Sequence, residues 1–294
     1  MSHKSGFVNI IGNPNVGKST ITNLMVERKL SIISPKSQTT RHRILAITNG
    51  DNFQIIFSDT PGVLKPAHKL HKSMMDSVKI TFQDADIVMY VVEYKDYDLK
   101  DLKLQRKISS IKVPLLLIIN KIDSIDQQKL ENEVKYWKKK LPNAEIWPIS
   151  AIENFNVDEL KNRLIEILPN GPKYFPEDQI SDKSERFFVN EIIREKILLY
   201  FSKEVPYSVE VTTDTFKEDK NILKICSVIM VERESQKGII IGHKGNALKK
   251  VGTKARMDLE KFFEKKVFLD LKVKLNKNWR SNDRELKKFG YNQN

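Results

Sequence analysis

Gly12, Asn13, Pro14, Asn15, Val16, Gly17, Lys18 and Ser19 spell a complete G-x-x-x-x-G-K-S string. It sits between an apolar run at 7–11 and an amphipathic stretch at 19–30. Strand, glycine-rich turn and helix in that order confine the chain to α/β architectures that hold a phosphate chain at a helix start. Phosphate oxygens must come close to backbone N–H groups, so glycines clear the approach and the helix N-terminus adds partial positive charge. In such a loop Lys18 meets the β- and γ-phosphates and the Ser19 hydroxyl ligates Mg²⁺, with Thr20 following on the first helical turn.

The pattern after this loop alternates short apolar runs with helix-length amphipathic ones. Strands are expected at 44–48, 53–58, 87–92, 115–119 and 144–149, and helices at 68–83, 99–111, 126–140 and 157–168. Alternation of this kind predicts a mostly parallel, doubly wound sheet with helices on both faces. Asn49, Gly50 and Asp51 join two neighbouring strands, so one antiparallel edge strand is expected. Residues 169–185 carry three prolines, a glycine and several acids without periodicity, the composition of a flexible linker. The organisation read from this is a first domain at 1–171, a linker at 172–185 and a second domain at 186–294. In the second domain a helix at 186–202, strands at 205–213 and 222–231, helices at 235–241 and 246–264 and a strand at 267–275 give the order αββααβ.

Three further signals stand at strand ends of the first domain. Asp59, Thr60, Pro61 and Gly62 place a carboxylate where it can hold the metal, with a glycine N–H beside it for the γ-phosphate. Asn120, Lys121 and Asp123 close the strand 115–119; an aspartate there can accept the N1–H and N2 amine of guanine, a donor pair that adenine lacks. Ser150 and Ala151 close the last strand and offer a backbone N–H to the guanine carbonyl oxygen. All converge on the crevice where open α/β sheets bind ligands. An ATPase or kinase of the same loop type is the enzymatic rival, and Asn120 and Asp123 argue against it.

Net charge is similar in the two domains but is concentrated in the last stretch of the second. Residues 224–294 hold 18 Lys+Arg against 8 Asp+Glu, so +10 of the formal +13 lies in the last 71 positions, a polyanion-binding distribution. In that region Gly242, His243, Lys244 and Gly245 join two helices, with Ile239, Ile240 and Ile241 before them and Lys249, Lys250, Lys254 and Arg256 after. Within the αββααβ order this looks like a type II KH fold, an α+β domain whose GxxG loop lets a nucleic-acid backbone lie against peptide N–H groups. Ile239, Gly242, His243, Lys244, Gly245, Lys249 and Lys250 are the candidate RNA contacts. A single cysteine, Cys226, excludes an intramolecular disulfide and reads as a small buried residue on a strand. No apolar run approaches the roughly 20 residues of a spanning helix, and the opening residues reach a polar loop too soon for a secretory signal. A reducing, cytoplasmic setting is expected.

With these residues in view the chain resembles the translation-factor-related GTPases, and Gln38, Thr39, Thr40, Arg41, His42, Arg43 and Ile44 resemble the effector loop of one branch, the Era GTPases. The resemblance runs from Phe7 to the terminal stretch 278–291 and covers nearly the whole chain. It implies a slow, Mg²⁺-dependent GTPase in which a switch threonine, Thr40 or its competitor Thr39, joins Ser19 and Asp59 around the metal when GTP replaces GDP. Lys18 and Thr40 are the transition-state and switch candidates. Val63 stands where other GTPases carry a water-orienting glutamine, so no general base is named. The family further implies binding of the 3′ end of 16S ribosomal RNA, a role in maturation of the small ribosomal subunit, and peripheral membrane association. A monomer is expected. The rival from another class is an RNA-binding assembly factor for which hydrolysis is incidental.

Overall fold

The computed structural model describes residues 3–291. They divide into two compact units, one comprising Ala67 and the residues before it with His71–Asp182, the other comprising His68–Leu70 and the residues from Lys183 on.

The first unit runs β1 (Lys4–Ile11), α1 (Lys18–Val26), β2 (Ile44–Gly50), β3 (Phe53–Asp59), α2 (Lys69–Ile80), β4 (Ile87–Val92), α3 (Leu102–Ser109), β5 (Leu115–Ile119), α4 (Gln127–Lys140), β6 (Glu145–Pro148) and α5 (Val157–Ile167). The sheet order is β2-β3-β1-β4-β5-β6. Only β2 is antiparallel to its neighbour, β3, while β1 lies parallel to both β3 and β4. The mostly parallel sheet with one antiparallel edge is the architecture the alternation predicts. β4 and β5 are buried along their whole length, as strands covered on both faces must be. Helix α1 stops at Val26, short of the expected 30. Glu27 turns left-handed at φ 54°, and the Asn23 side-chain oxygen accepts the Leu30 and Ser31 N–H groups at 3.0 and 2.9 Å.

The second unit runs α6 (Glu185–Tyr200), β7 (Glu210–Asp219), β8 (Ile222–Val231), α7 (Glu234–Ile241), α8 (Asn246–Phe263), β9 (Lys266–Leu275) and α9 (Asp283–Lys288). β8 is central, antiparallel to β7 and parallel to β9. Val189, Ile193, Ile225, Ile229, Ile240, Val251 and Leu259 form the core between helices and sheet. The strand expected at 205–213 is displaced: Val205–Tyr207 is a 3-10 turn and β7 begins at Glu210. Pro206 explains the shift, since it has no N–H for a ladder. Cys226 is half-buried rather than buried. Helix α9 has no counterpart in the sequence reading; Asn282 caps it and the buried Trp279 just before it donates its indole N–H to Ser208 O at 2.9 Å.

Composition reads 169–185 as a flexible linker, but much of it is strapped to the sheet edge. Ile47 N donates to Ile180 O at 3.0 Å, Ser181 Oγ to Leu45 O at 2.6 Å and Leu45 N to Asp182 Oδ1 at 2.9 Å. Gln54, fully buried, donates to Phe175 O at 2.8 Å and accepts from Tyr174 N at 2.7 Å. An edge strand has unpaired main-chain groups, and this segment supplies partners for β2. Gln54→Ala removes the partner of Tyr174 N and Phe175 O at a cost of roughly 1–3 kcal/mol. We expect a lower melting temperature and faster proteolytic cutting within 172–182; cutting at the wild-type rate would contradict the strap.

Candidate functional site

The strand ends meet in a cleft of about 820 Å³ lined, among others, by Lys18, Ser19, Thr40, Gly62, Asn120 and Asp123. The loop from Gly12 to Gly17 is shaped by close packing. Gly17 has φ +100°, and a Cβ on it would come within 2.1 Å of Asn120 Nδ2, so the position admits only glycine. A Cβ on Gly62 would lie 2.6 Å from Pro14 Cα, and Val63 N donates to Gly12 O at 3.0 Å. The loops after β1 and β3 are therefore in direct contact. Asn13 turns away from the cleft; its Nδ2 donates to Asp96 Oδ1 at 2.6 Å and Asp98 O at 2.9 Å. Thr60 is buried, with Oγ1 donating to Ile10 O at 2.6 Å. Gly12, Asn13, Val16, Asp59, Pro61 and Ser150 are not among the lining residues, whereas Pro14, Asn15, Gly17, Thr20, Thr60, Lys121 and Ala151 are.

Lys18 is buried and its ammonium donates to Gly12 O at 3.1 Å and Asn13 O at 2.8 Å. Burial brings its pKa down to about 8, with Asp59 and Asp96 pulling the other way. At the same end of the cleft Ser19 Oγ lies 2.8 Å from both Thr40 Oγ1 and Asp59 Oδ2. Thr40 Oγ1 is 3.5 Å from that carboxylate oxygen. Thr39 also lines the cleft, but its Oγ1 donates to Lys36 O at 2.5 Å. Asp59 is fully buried, which raises its carboxyl above the ordinary range against the opposing pull of Ser31, Ser19, Lys18 and Thr40. Its Oδ1 has no hydrogen-bond partner. A buried oxygen without a partner beside three hard oxygen donors is a donor set that suits Mg²⁺.

The other end of the cleft holds Asn120, Lys121 and Asp123. Asn120 is a brace: Nδ2 donates to Val16 O at 2.8 Å and Oδ1 accepts from Ala151 N at 3.0 Å. Lys121, left-handed at φ 63°, pairs with Glu93. Asp123 Oδ1 accepts the Ser150 hydroxyl at 2.5 Å. The backbone N–H groups of Ser150 and Ala151, expected to face guanine, are engaged within the protein; Ser150 N donates to Phe155 O at 3.2 Å. Sequence reasoning passed over Glu93 and Asp96, although both follow β4 at the same carboxyl edge as the other site residues. It also passed over Ile32, Ile33 and Ile152, which line the cleft without any motif to announce them.

In the second unit Gly242 has φ 71°, Lys244 φ 49° and Gly245 φ 78°. The loop is thus a series of left-handed residues that glycine makes cheap. A Cβ on Gly245 would meet nothing within 4 Å, so the space beside it is open. His243, Lys244, Lys249 and Lys250 are exposed, with Lys250 Nζ 4.5 Å above the Tyr200 ring. Ile239 is 49% exposed whereas Ile240 is fully buried, so one isoleucine faces solvent and the next belongs to the core. Arg256 pairs with Glu260 at 2.6 Å within α8.

A model described as 50S ribosome-binding GTPase matches residues 7–121, and a KH domain model matches residues 204–280. GTPase Era of Thermoanaerobacter sp. (strain X514) is 44% identical over 99% of this chain and 97% of its own, and that of Syntrophus aciditrophicus (strain SB) is 47% identical over 99% and 96%. The chain belongs to the Era GTPase family. Solved structures agree: Era in complex with MgGDPNP and nucleotides 1506–1542 of 16S ribosomal RNA superposes with a TM-score of 0.94 at 39% identity, covering 98% of this chain and 99% of that one. An Aquifex aeolicus Era variant bound to GDP·AlF4⁻ gives 0.93 at the same identity and coverage. As an Era-family member the chain is a GTPase joined to a KH domain.

Two outcomes follow from this geometry. Asn120→Ala unties the phosphate loop from the loop after β6; we expect GDP affinity to fall at least about tenfold with a lower melting temperature, since two buried partners are left unmatched, and unchanged GDP titrations would contradict the brace. Lys18 loses its proton above about 8 in the free protein, and the phosphates bind its charged form. GTP affinity measured by titration should therefore decline as pH rises from about 7 to about 9, by up to about tenfold per unit above that pKa; a flat profile would contradict it.

Proposed function

We propose that this chain is a Mg²⁺-dependent GTP switch that grips the 3′ region of 16S ribosomal RNA through its KH domain and assists maturation of the small ribosomal subunit. The observation that carries the reading is the gathering of Lys18, Ser19, Thr40 and Asp59 at one end of a cleft whose other end holds Asp123. Backbone N–H groups of the phosphate loop and the Lys18 ammonium neutralise the phosphates. Ser19, Thr40 and Asp59 are the groups that would hold Mg²⁺, and the metal, when bound, neutralises charge on the β- and γ-phosphates. Asp123 accepts from the guanine edge, oriented by Ser150. Asn120 holds the two ends of the site together. Thr40 is the switch residue in preference to Thr39, because its hydroxyl is the one beside Ser19 and Asp59.

Val63 is fully buried, so its side chain does not orient the attacking water, and intrinsic hydrolysis is slow. The KH domain supports single-stranded RNA: an open GxxG loop accepts a splayed backbone, exposed Lys244, Lys249 and Lys250 supply phosphate attraction, and Ile239 offers apolar contact to bases. RNA binding to the solved relative supports the 16S assignment. We place the protein in the cytoplasm as a monomer. Peripheral attachment to the inner membrane rests on family resemblance; no helix among the described residues is long and apolar enough to cross a membrane. Nucleotide state and RNA grip are coupled through Thr40 and the loop that carries it.

The test is affinity for a single-stranded RNA copy of the 16S 3′ end, measured with GDP and with a non-hydrolysable GTP analogue. The two nucleotides should give RNA affinities that differ severalfold, and Gly245→Asp should weaken RNA binding at least about tenfold in both while leaving GDP affinity intact. Equal RNA affinity in both states removes the switch; full binding by the Gly245→Asp protein removes the KH assignment.

A further inference from the structure

Arg43 lies three residues past Thr40, at the end of the loop that brings the threonine hydroxyl to Ser19 and Asp59. Its guanidinium is fixed twice. Nε donates to Ser58 Oγ at 2.7 Å, on the fully buried residue preceding Asp59 in β3. Nη1 pairs with Asp84 Oδ2 at 2.7 Å, with 18% of the arginine side chain and 39% of the aspartate exposed. Asp84, in the connection between α2 and β4, is held in turn. Its Oδ1 accepts from Asn9 Nδ2 at 2.9 Å, and the same buried amide of β1 donates to Thr81 O just past α2. A continuous path thus runs from β1 through Asn9, Asp84 and Arg43 to Ser58 on β3. Neither Arg43 nor Asp84 is among the residues lining the cleft.

The arrangement pins the carboxyl end of the Thr40 loop between the strand bearing Asp59 and the foot of α2. Charge-assisted bonds with planar geometry orient as well as attract, and the arginine side of the pair is mostly buried while Asp84 is exposed, so solvent screens the attraction in part. We propose that the Arg43–Asp84 pair is a positioning latch for GTP hydrolysis, setting the loop so that the Thr40 hydroxyl is presented to the Mg²⁺ site when the triphosphate is bound. This rests on the reading of Thr40 as the switch residue. GDP, gripped by the phosphate loop and Asp123, makes no use of that threonine, so the latch discriminates between the two nucleotides instead of strengthening both.

The test compares Arg43→Ala, Asp84→Asn, the double variant, Arg43→Lys and Thr40→Ala, measuring affinities for GDP and a non-hydrolysable GTP analogue with Mg²⁺, and kcat for GTP. The latch predicts GDP affinity within about twofold of wild type, analogue affinity and kcat lowered about tenfold in each single alanine or asparagine variant, and a double variant no worse than the singles. Arg43→Lys, which keeps the charge facing Asp84, should recover part of the loss. Equal weakening of GDP and analogue would make the pair merely structural and overturn the proposal, as would wild-type behaviour of the singles or fully additive losses in the double. Thr40→Ala tells the two readings apart: if it leaves the preference for the analogue unchanged, the switch assignment fails, whereas a loss there with intact latch variants defeats the latch alone.

Discussion

An ammonium group withdrawn from water needs negative charge close by, and the Lys18 side chain has only part of what it needs inside the protein. The Gly12 and Asn13 carbonyls accept its hydrogen bonds and Asp59 and Asp96 attract it, yet burial still lowers its pKa. Phosphate oxygens complete the environment. Keeping Lys18 in this poised position requires a loop that cannot relax around it, and the neighbouring packing supplies that rigidity. Asn120 closes on Gly17, Pro14 on Gly62, and Asp96 holds Asn13 from behind. The remaining geometry of the cleft follows from this constraint.

The two ends of the site do different work. At the phosphate end, hard oxygens gather around a buried carboxylate whose second oxygen has no partner. At the other end Asp123 accepts a hydrogen bond from the Ser150 hydroxyl, while Asn120 ties the loops after β1 and β6 together. Val63, which follows Gly62, is buried and is not among the residues lining the cleft.

How much of this the sequence discloses depends on how local the chemistry is. The phosphate loop, the aspartate that ends β3, the carboxylate after β5 and the GxxG loop are contiguous strings at element ends, so spacing alone finds them. The bracing role of Asn120 is hidden because its partner Val16 is 104 residues away. The strap is hidden for the same reason: composition marks 169–185 as unstructured, and only the buried Gln54, 121 residues before Phe175, shows where its main-chain groups are satisfied. Alternation places β8 and β9 correctly, but it misplaces β7 because Pro206 and the short turn around it look apolar enough to be a strand. The choice between Thr39 and Thr40, open in the sequence, turns on which hydroxyl faces Ser19, a matter of backbone direction within a loop.

The central claim is that this cleft recognises guanine through Asp123 while Lys18 and its loop hold the phosphates. Calorimetric titration of the Mg²⁺-loaded protein with GTP and with ATP, repeated on Asp123→Asn, tests it most directly. The account predicts GTP binding at least about 100-fold tighter than ATP, a gap set by one charged acceptor facing two donors, and collapse of that gap in the variant. Comparable affinity for the two nucleotides in the wild-type protein, or a preference that survives loss of the Asp123 carboxylate, would contradict it.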